Sequence, residues 1–272
     1  MRVFYSELCL IGGQVEENVD RLIAQGAENI ELMLDGAGWD DFPRRAQSLA
    51  AALRAKKTAY SVHVPVWGSN LTYECARYRE AVLASYRESL DFAALVGARH
   101  VVLHTGSCPD SHFSKEVARS RSRQAMFNLL EYNERYGLLL LVENVGTPAT
   151  SLFTQEQFAS FLEGMPDAIG YIVDVGHAHI SGWDLEALFA ALGGRLHALH
   201  LHDNDGTKDA HAPIGTGSVD WDRLLAAAAA SASASGNDLG LVLEYNIGTD
   251  LSTLAAGKAA LERAWRGGSV RA

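Results

Sequence analysis

The sequence predicts a closed (β/α)₈ TIM barrel of class α/β, formed as one domain over residues 1–272. Three observations predict it. Short runs of apolar and β-branched residues alternate with longer amphipathic stretches from one end of the chain to the other, a pattern that implies parallel strands joined by crossover helices. Eight such pairs fit in 272 residues, one per 34, which matches a closed barrel of about 250 residues. No Gly-x-Gly-x-x-Gly follows an early strand, so an open doubly wound sheet has no phosphate-binding turn to support it; Gly12-Gly13 marks a turn only. No Pro-, Gly- or Ser-rich linker divides the chain.

The elements follow in order. The VFYSELCL run places a strand at Val3–Leu10, with a helix near 15–25. A second strand is expected at Asn29–Leu34 and a helix near 41–56, then a strand at Thr58–Val64 and a helix near 75–96. The β-branched HVVLHT run gives His100–Thr105, followed by a helix near 114–136. Leu138–Glu143 and a helix near 154–163 come next, then Ile169–Asp174 and a helix near 185–193. The last units are Ala198–His202 with a helix near 219–235, and Leu241–Tyr245 with a helix near 250–265. Within the seventh helix, Ala226–Ala230 is strongly helix-forming, Leu224 and Leu225 supply its apolar face, and Gly236-Asn237 stops it.

Composition narrows the function classes. Hydrophobic residues make up 48% and charged residues 21%, which excludes wholesale disorder. With 23 basic and 33 acidic residues the net charge is −10, which disfavours a nucleic-acid partner because phosphate contacts need a basic surface. No apolar run approaches the ~18 residues of a membrane span. The N-terminal MRVFYSELCLIGGQ lacks a secretory pattern, and Cys9, Cys75 and Cys108 cannot all pair, so a reduced cytoplasmic setting is expected. Exposed helical faces of such barrels often dimerise, so a homo-oligomer is compatible.

What separates this chain from a generic barrel stands at its strand ends. Strands three to eight end in or near His63, His104, Glu143, Asp174, His200 and Glu244. His177 follows the sixth strand, and Asp209 and His211 lie in the loop after the seventh. In a (β/α)₈ barrel these ends converge on one mouth. Unpaired imidazoles and carboxylates buried there cost several kcal/mol, and a divalent cation is the physical remedy. Imidazole-rich ligation suits zinc and oxygen-rich ligation suits manganese or magnesium, so a Zn or Mn site of one to three ions is expected. Glu31, at the end of the second strand, is a weaker candidate, and His179 and His202 are supporting candidates.

The segments SVHVPVWGSNL (61–71), VVLHTGS (101–107), LVENVGTP (141–148), IVDVGHAHISG (172–182), HLHDNDGTKDAHAPIGTGSVDW (200–221) and LVLEYN (241–246) carry a family resemblance. From about Val3 to Trp265 the chain resembles the xylose isomerase-like TIM-barrel superfamily, which includes sugar and sugar-phosphate isomerases and epimerases and the endonuclease IV family. The resemblance to the epimerases implies one ion on Glu143, Asp174, His200 and Glu244. The resemblance to endonuclease IV implies a second ion on His63 and His104 with Glu143 bridging, and a third on His177, Asp209 and His211. Two chemistries follow. In the first, Glu143 and Glu244 move a proton on a chelated carbohydrate-like substrate through an enediolate, His177 holds a substrate oxygen, and Trp67 and Trp183 stack on a sugar face or pack their loops. A lyase or dehydratase would use the same groups. In the second, three ions hydrolyse a phosphodiester. Against the second, Val66 stands where that family has a DNA-wedging aromatic. Its D-x-C-H and H-L-N-D forms are also replaced, by Asp174-Val175-Gly176-His177 and His200-Leu201-His202-Asp203. Gly206 likewise stands where ketose 3-epimerases often have an Arg. Lys115, Arg119, Arg121 and Arg123 form either a phosphate grip or a solvated helix face. A non-catalytic, metal-dependent sugar binder is the remaining alternative.

Overall fold

The structure is a computed structural model describing residues 1–40 and 42–270. Eight strands pair in parallel in sequence order, and the last returns to the first to close the barrel. They are β1 (Arg2–Ser6), β2 (Asn29–Met33), β3 (Ala59–His63), β4 (His100–His104), β5 (Leu139–Glu143), β6 (Ile169–Asp174), β7 (Leu196–Leu201) and β8 (Gly240–Leu243). The α-helices among the described residues are α1 (Val15–Ala24), α2 (Phe42–Arg54), α3 (Ala76–Val96), α4 (Lys115–Asn133), α5 (Gln155–Ala159), α6 (Val175–Ile180), α7 (Leu185–Leu192), α8 (Trp221–Ser235) and α9 (Ser252–Trp265). Asp41, where the second helix was expected to begin, lies outside the described residues.

Two cores result from the period-two alternation of a strand. The larger one lies between strands and helices; a smaller one fills the barrel with Phe4, Val102, Leu141, Ile172, Ala198 and Val242. Two residues further along β4, β5, β6, β7 and β8, on the same inward face, come His104, Glu143, Asp174, His200 and Glu244. The polar layer is therefore one pleat above the apolar plug, and the strands that position the donors are locked from beneath by close packing.

The first strand is shorter than the sequence predicts. After Ser6 the chain enters a 3₁₀ turn, Glu7–Leu10, instead of extending to Leu10. The Ser6 hydroxyl accepts a bond from the Leu8 amide at 3.3 Å. Buried Glu7 then accepts from the Asn18 amide at 2.9 Å and the Met33 backbone amide at 3.2 Å, pinning the turn to β2. The short helix α6 was not anticipated. It starts directly on β6 because the Asp174 carboxylate caps it, accepting from the His177 amide at 2.6 Å. No helix among the described residues is long and apolar enough to cross a membrane.

Candidate metal centre

Register brings the donors level. His104 is opposite Glu143 and Asp174 is opposite His200 across neighbouring strands. All nine sequence-predicted residues fall into three groups, within each of which the donor atoms lie within 4.8 Å of one another: His63, His104 and Glu143; Glu143, Asp174, His200 and Glu244; and His177, Asp209 and His211. Glu143 is the shared member. Its Oε2 is 3.2 Å from His63 Nε2 and 3.1 Å from His104 Nε2, while its Oε1 is 3.1 Å from His200 Nδ1. Glu244 Oε2 approaches the same His200 Nδ1 at 3.5 Å.

Ring orientation is consistent with ligation. His63 Nδ1 lies 2.8 Å from the Val64 carbonyl, His177 Nδ1 3.0 Å from the Asn144 carbonyl, and His211 Nδ1 3.0 Å from the Glu244 carbonyl. A carbonyl only accepts, so each of these rings donates from Nδ1 and keeps an Nε2 lone pair toward its group. His200 is reversed: its Nε2 meets Glu31 Oε1 at 2.8 Å, leaving Nδ1 for Glu143 and Glu244. His211 is the one non-glycine residue among those described with positive φ, at 44°, a strained backbone that the loop must hold in place.

The middle group tests the fit of a cation directly. Glu143, Asp174 and Glu244 are buried carboxylates with only His200 among them. Three anions in a low-dielectric site need a positive charge, and the mixed imidazole and carboxylate donors suit a borderline ion such as Zn²⁺. Without one, protons fill the role. Burial opposes it, yet Glu244, Glu143 and Glu31 together push the His200 imidazole well above its usual range. Burial likewise opposes it, but Glu143 raises His63 to about 9. Asp174 and Asp209 raise His177 to about 10, and Asp209 and Glu244 raise His211 to about 9, each against burial. His104 is lowered, because burial outweighs Glu143. Burial would raise Glu143, but His200 and His104 hold it well below the usual carboxylate range.

Several supporting residues escaped the sequence analysis or were under-rated in it. Glu31 is wholly buried inside the barrel, where it also accepts from the Ser61 hydroxyl at 3.1 Å. Asn144 clamps β6 by accepting from the Asp174 amide at 2.7 Å and donating to its carbonyl at 2.9 Å. Asp203 organises the loop that carries Asp209 and His211. Its carboxylate accepts from the Asn204, Gly215 and Val219 amides and from Trp221 Nε1 at 2.7 Å. Leaving a buried donor unpaired costs about 1–3 kcal/mol. Asp203→Ala is therefore expected to lose at least ~3 kcal/mol in denaturant unfolding, and to weaken metal binding by His177, Asp209 and His211. The one sequence signal was its place in the H-L-x-D segment.

The four cations after β4 form neither a phosphate grip nor a free solvated face. Lys115 donates to the Pro148 carbonyl at 3.1 Å and Arg119 to Leu152 at 2.7 Å. Arg121 pairs with Glu74 at 2.8 Å, and Arg123 holds the Phe161 and Glu163 carbonyls. The first three tie mouth loops to α4, and Arg123 ties the segment between α5 and β6 to it. Trp183 packs on Phe158 at 5.7 Å, whereas Trp67 is 55% exposed at the rim. His179 is bonded to the Ser218 hydroxyl at 2.9 Å and is not drawn into a donor group.

Comparison with known proteins places this geometry in context. The chain is similar to an inosose isomerase of Bacillus velezensis, 25% identical over 55% of each protein, so it spans about half of that relative's length. It is also similar to a probable endonuclease 4 of Citrifermentans bemidjiense, 25% identical over 77% of this chain and 81% of the other. Among solved structures, a D-tagatose 3-epimerase-like protein superposes with a TM-score of 0.84 at 20% identity, covering 98% and 97% of the two chains. An IolI protein with a bound zinc atom gives 0.77 at 16% identity, covering 96% of each. Residues 19–260 match the family model described as xylose isomerase-like TIM barrel, and the chain belongs to that family.

Proposed function

We propose that this chain is a divalent-metal-dependent isomerase or epimerase of a small polyhydroxylated carbonyl compound, a sugar or sugar phosphate. The observation that carries it is the placement of Glu143 and Glu244. The two carboxylates come from β5 and the end of β8 and lie on one imidazole nitrogen, at 3.1 and 3.5 Å. They approach the centre of the mouth from different sides. One takes the proton from the carbon beside the carbonyl and the other returns it, giving an enediolate between the two transfers. His177, at the mouth end of β6, holds a substrate oxygen. Asp174 and His200 complete the donor set, and a divalent ion bound there supplies Lewis acidity for the negative charge that develops on the substrate. Trp67 offers an exposed ring at the rim. The likeness to an inosose isomerase and, at the level of fold, to a D-tagatose 3-epimerase-like protein supports the same class. Loss of water from the same enediolate would make the enzyme a lyase.

A second function, phosphodiester hydrolysis, is favoured by two observations: all nine donors sit in three groups, and the endonuclease 4 likeness spans most of the chain. Val66 in place of an aromatic wedge, the −10 charge and the occupied arginines after β4 weigh against it. The test is incubation of zinc- or manganese-loaded protein with aldoses, ketoses and their phosphates in D₂O. Carbon-bound deuterium in the recovered sugar, seen by mass spectrometry, is the expected result. No exchange on any sugar, with cleavage of bis(p-nitrophenyl) phosphate and three zinc ions per chain by elemental analysis, would overturn it.

A further inference from the structure

We propose that His202 is a positioning residue that couples two of the donor groups, holding Asp174 of the middle group with one ring nitrogen and seating His211 of the outer group against its ring face. This rests on the metal centre proposed above and adds no ion to it. Two residues that stood out in the sequence, Gly176 and His202, prove to be one feature. A Cβ built on Gly176 would lie 1.9 Å from His202 Cε1, and 2.5 and 2.6 Å from its two nitrogens. Gly176 does not have a positive φ, so its backbone does not require glycine; the imidazole does. The Asn204 side chain, two residues beyond the ring, donates to the Gly176 carbonyl at 3.0 Å and ties the two segments together.

The ring stands where the two groups meet. Its Nε2 lies 3.1 and 3.0 Å from the two Asp174 oxygens, and a carboxylate only accepts, so Nε2–H is donated to Asp174. The same nitrogen lies 3.8 Å from Asp209 Oδ1. His211 stacks on the ring with centres 3.7 Å apart and planes 15° apart, and His177 meets it edge-on at 6.2 Å. His202 therefore faces all three members of the outer group while it bonds a donor of the middle one. Its Nδ1 is buried and takes no hydrogen bond, so beyond the bond to Asp174 the ring acts by its shape. A glutamine amide would reach that carboxylate as well; what the imidazole adds is a flat, wholly buried face under His211. His211 needs such a seat. Its φ is 44°, and a non-glycine residue keeps that conformation only where its surroundings impose it. The stack and the Nδ1–H bond to the Glu244 carbonyl fix its ring and leave its one lone pair, on Nε2, to the outer group. An ion that fixes Asp174 thus also fixes His202 and the seat of His211. Filling one group favours filling the other, and the coupling is reciprocal.

The test compares wild type, His202→Gln and Gly176→Ala by zinc titration against a chromophoric chelator, elemental analysis, and the visible spectrum after cobalt(II) loading. Asp209→Ala, which removes a donor of the outer group alone, identifies the ion equivalent that belongs to that group. His202→Gln keeps a donor to Asp174 and removes the ring face. It is expected to weaken the outer equivalent by roughly 10–100-fold, the range for loss of a ligand's outer partner, and to change its cobalt spectrum, with the middle equivalent unchanged. Gly176→Ala alters no donor but displaces the ring, and is expected to weaken both equivalents. Circular dichroism checks that each variant is folded. Wild-type affinity and cobalt spectrum for the outer equivalent in folded His202→Gln, or for both equivalents in folded Gly176→Ala, would overturn the coupling while leaving the metal centre intact. So would a wild type with no equivalent sensitive to Asp209→Ala. A wild-type chain that binds no ion at all would overturn both.

Discussion

Glu143→Gln is expected to lower turnover by roughly 10²–10⁴-fold, the range for loss of a positioned acid or base, and to reduce metal content in two groups at once. Glutamine keeps the volume of the side chain and one accepting oxygen. It loses the charge and the ability to face His63 and His104 with one oxygen and His200 with the other. Elemental analysis should therefore show a deficit that parallels the loss of activity. Near-full turnover with full metal content would remove Glu143 from the centre. The metal-free protein supplies an independent readout. His63 is raised from 6.5 to about 9, so its pairing with Glu143 stabilises the fold fully below about pH 6.5 and fades as pH rises through 9. The stability gap between wild type and Glu143→Gln, measured after chelation, should accordingly be larger at pH 6 than at pH 10. A gap independent of pH would count against the pairing.

The second large effect is expected at Glu31, which touches no substrate. It holds His200 Nε2 at 2.8 Å and so turns Nδ1 toward Glu143 and Glu244. Both partners are 0% exposed, so neither has water to replace the other. Removing the outer partner of a ligating histidine typically costs 10–100-fold in metal affinity. Glu31→Gln, whose amide oxygen can still accept from Nε2–H, should fall near the lower end. Glu31→Leu should reach the upper end and also destabilise the chain, because His200 loses its acceptor. Chelator competition separates the two variants. Wild-type zinc affinity in Glu31→Leu would reduce Glu31 to a packing residue.

Much of this was legible in the sequence, for a physical reason. Barrel strands feel one environment outside and another inside, so HVVLH, LLLVE and IGYIVD announce both their type and their polar ends. The predicted donors at the strand ends share the mouth because barrel topology forces those ends together, and α6 and the loop held by Asp203 bring His177, Asp209 and His211 into a group of their own. What escaped depends on pairs distant in sequence. Glu31 meets His200 across 169 positions, and nothing local to either residue signals it. Gly176 reads as a helix-weakening residue until His202 is seen against it. The over-long first strand had another cause: Glu7 looks solvent-facing by type, yet Asn18 and Met33 satisfy it inside. The basic run on α4 likewise reads as a charged surface until the carbonyls it serves are in view.

The antiparallel bridge between Asp203 and Ala212 has a consequence for how such sites diversify. It closes the excursion that bears Asp209 and His211, with Asp203 and Ala212 exchanging both backbone bonds at 2.8 and 3.0 Å. The ends of the excursion are thus stapled side by side. A segment anchored this way can be exchanged for a short turn without dragging β7 out of register. Two of the three donors in the outer group then behave as a removable cassette, while the donors on the strands belong to the chassis. Grafting or deleting residues 204–211 offers a single-step route between barrels of different metal content on one scaffold.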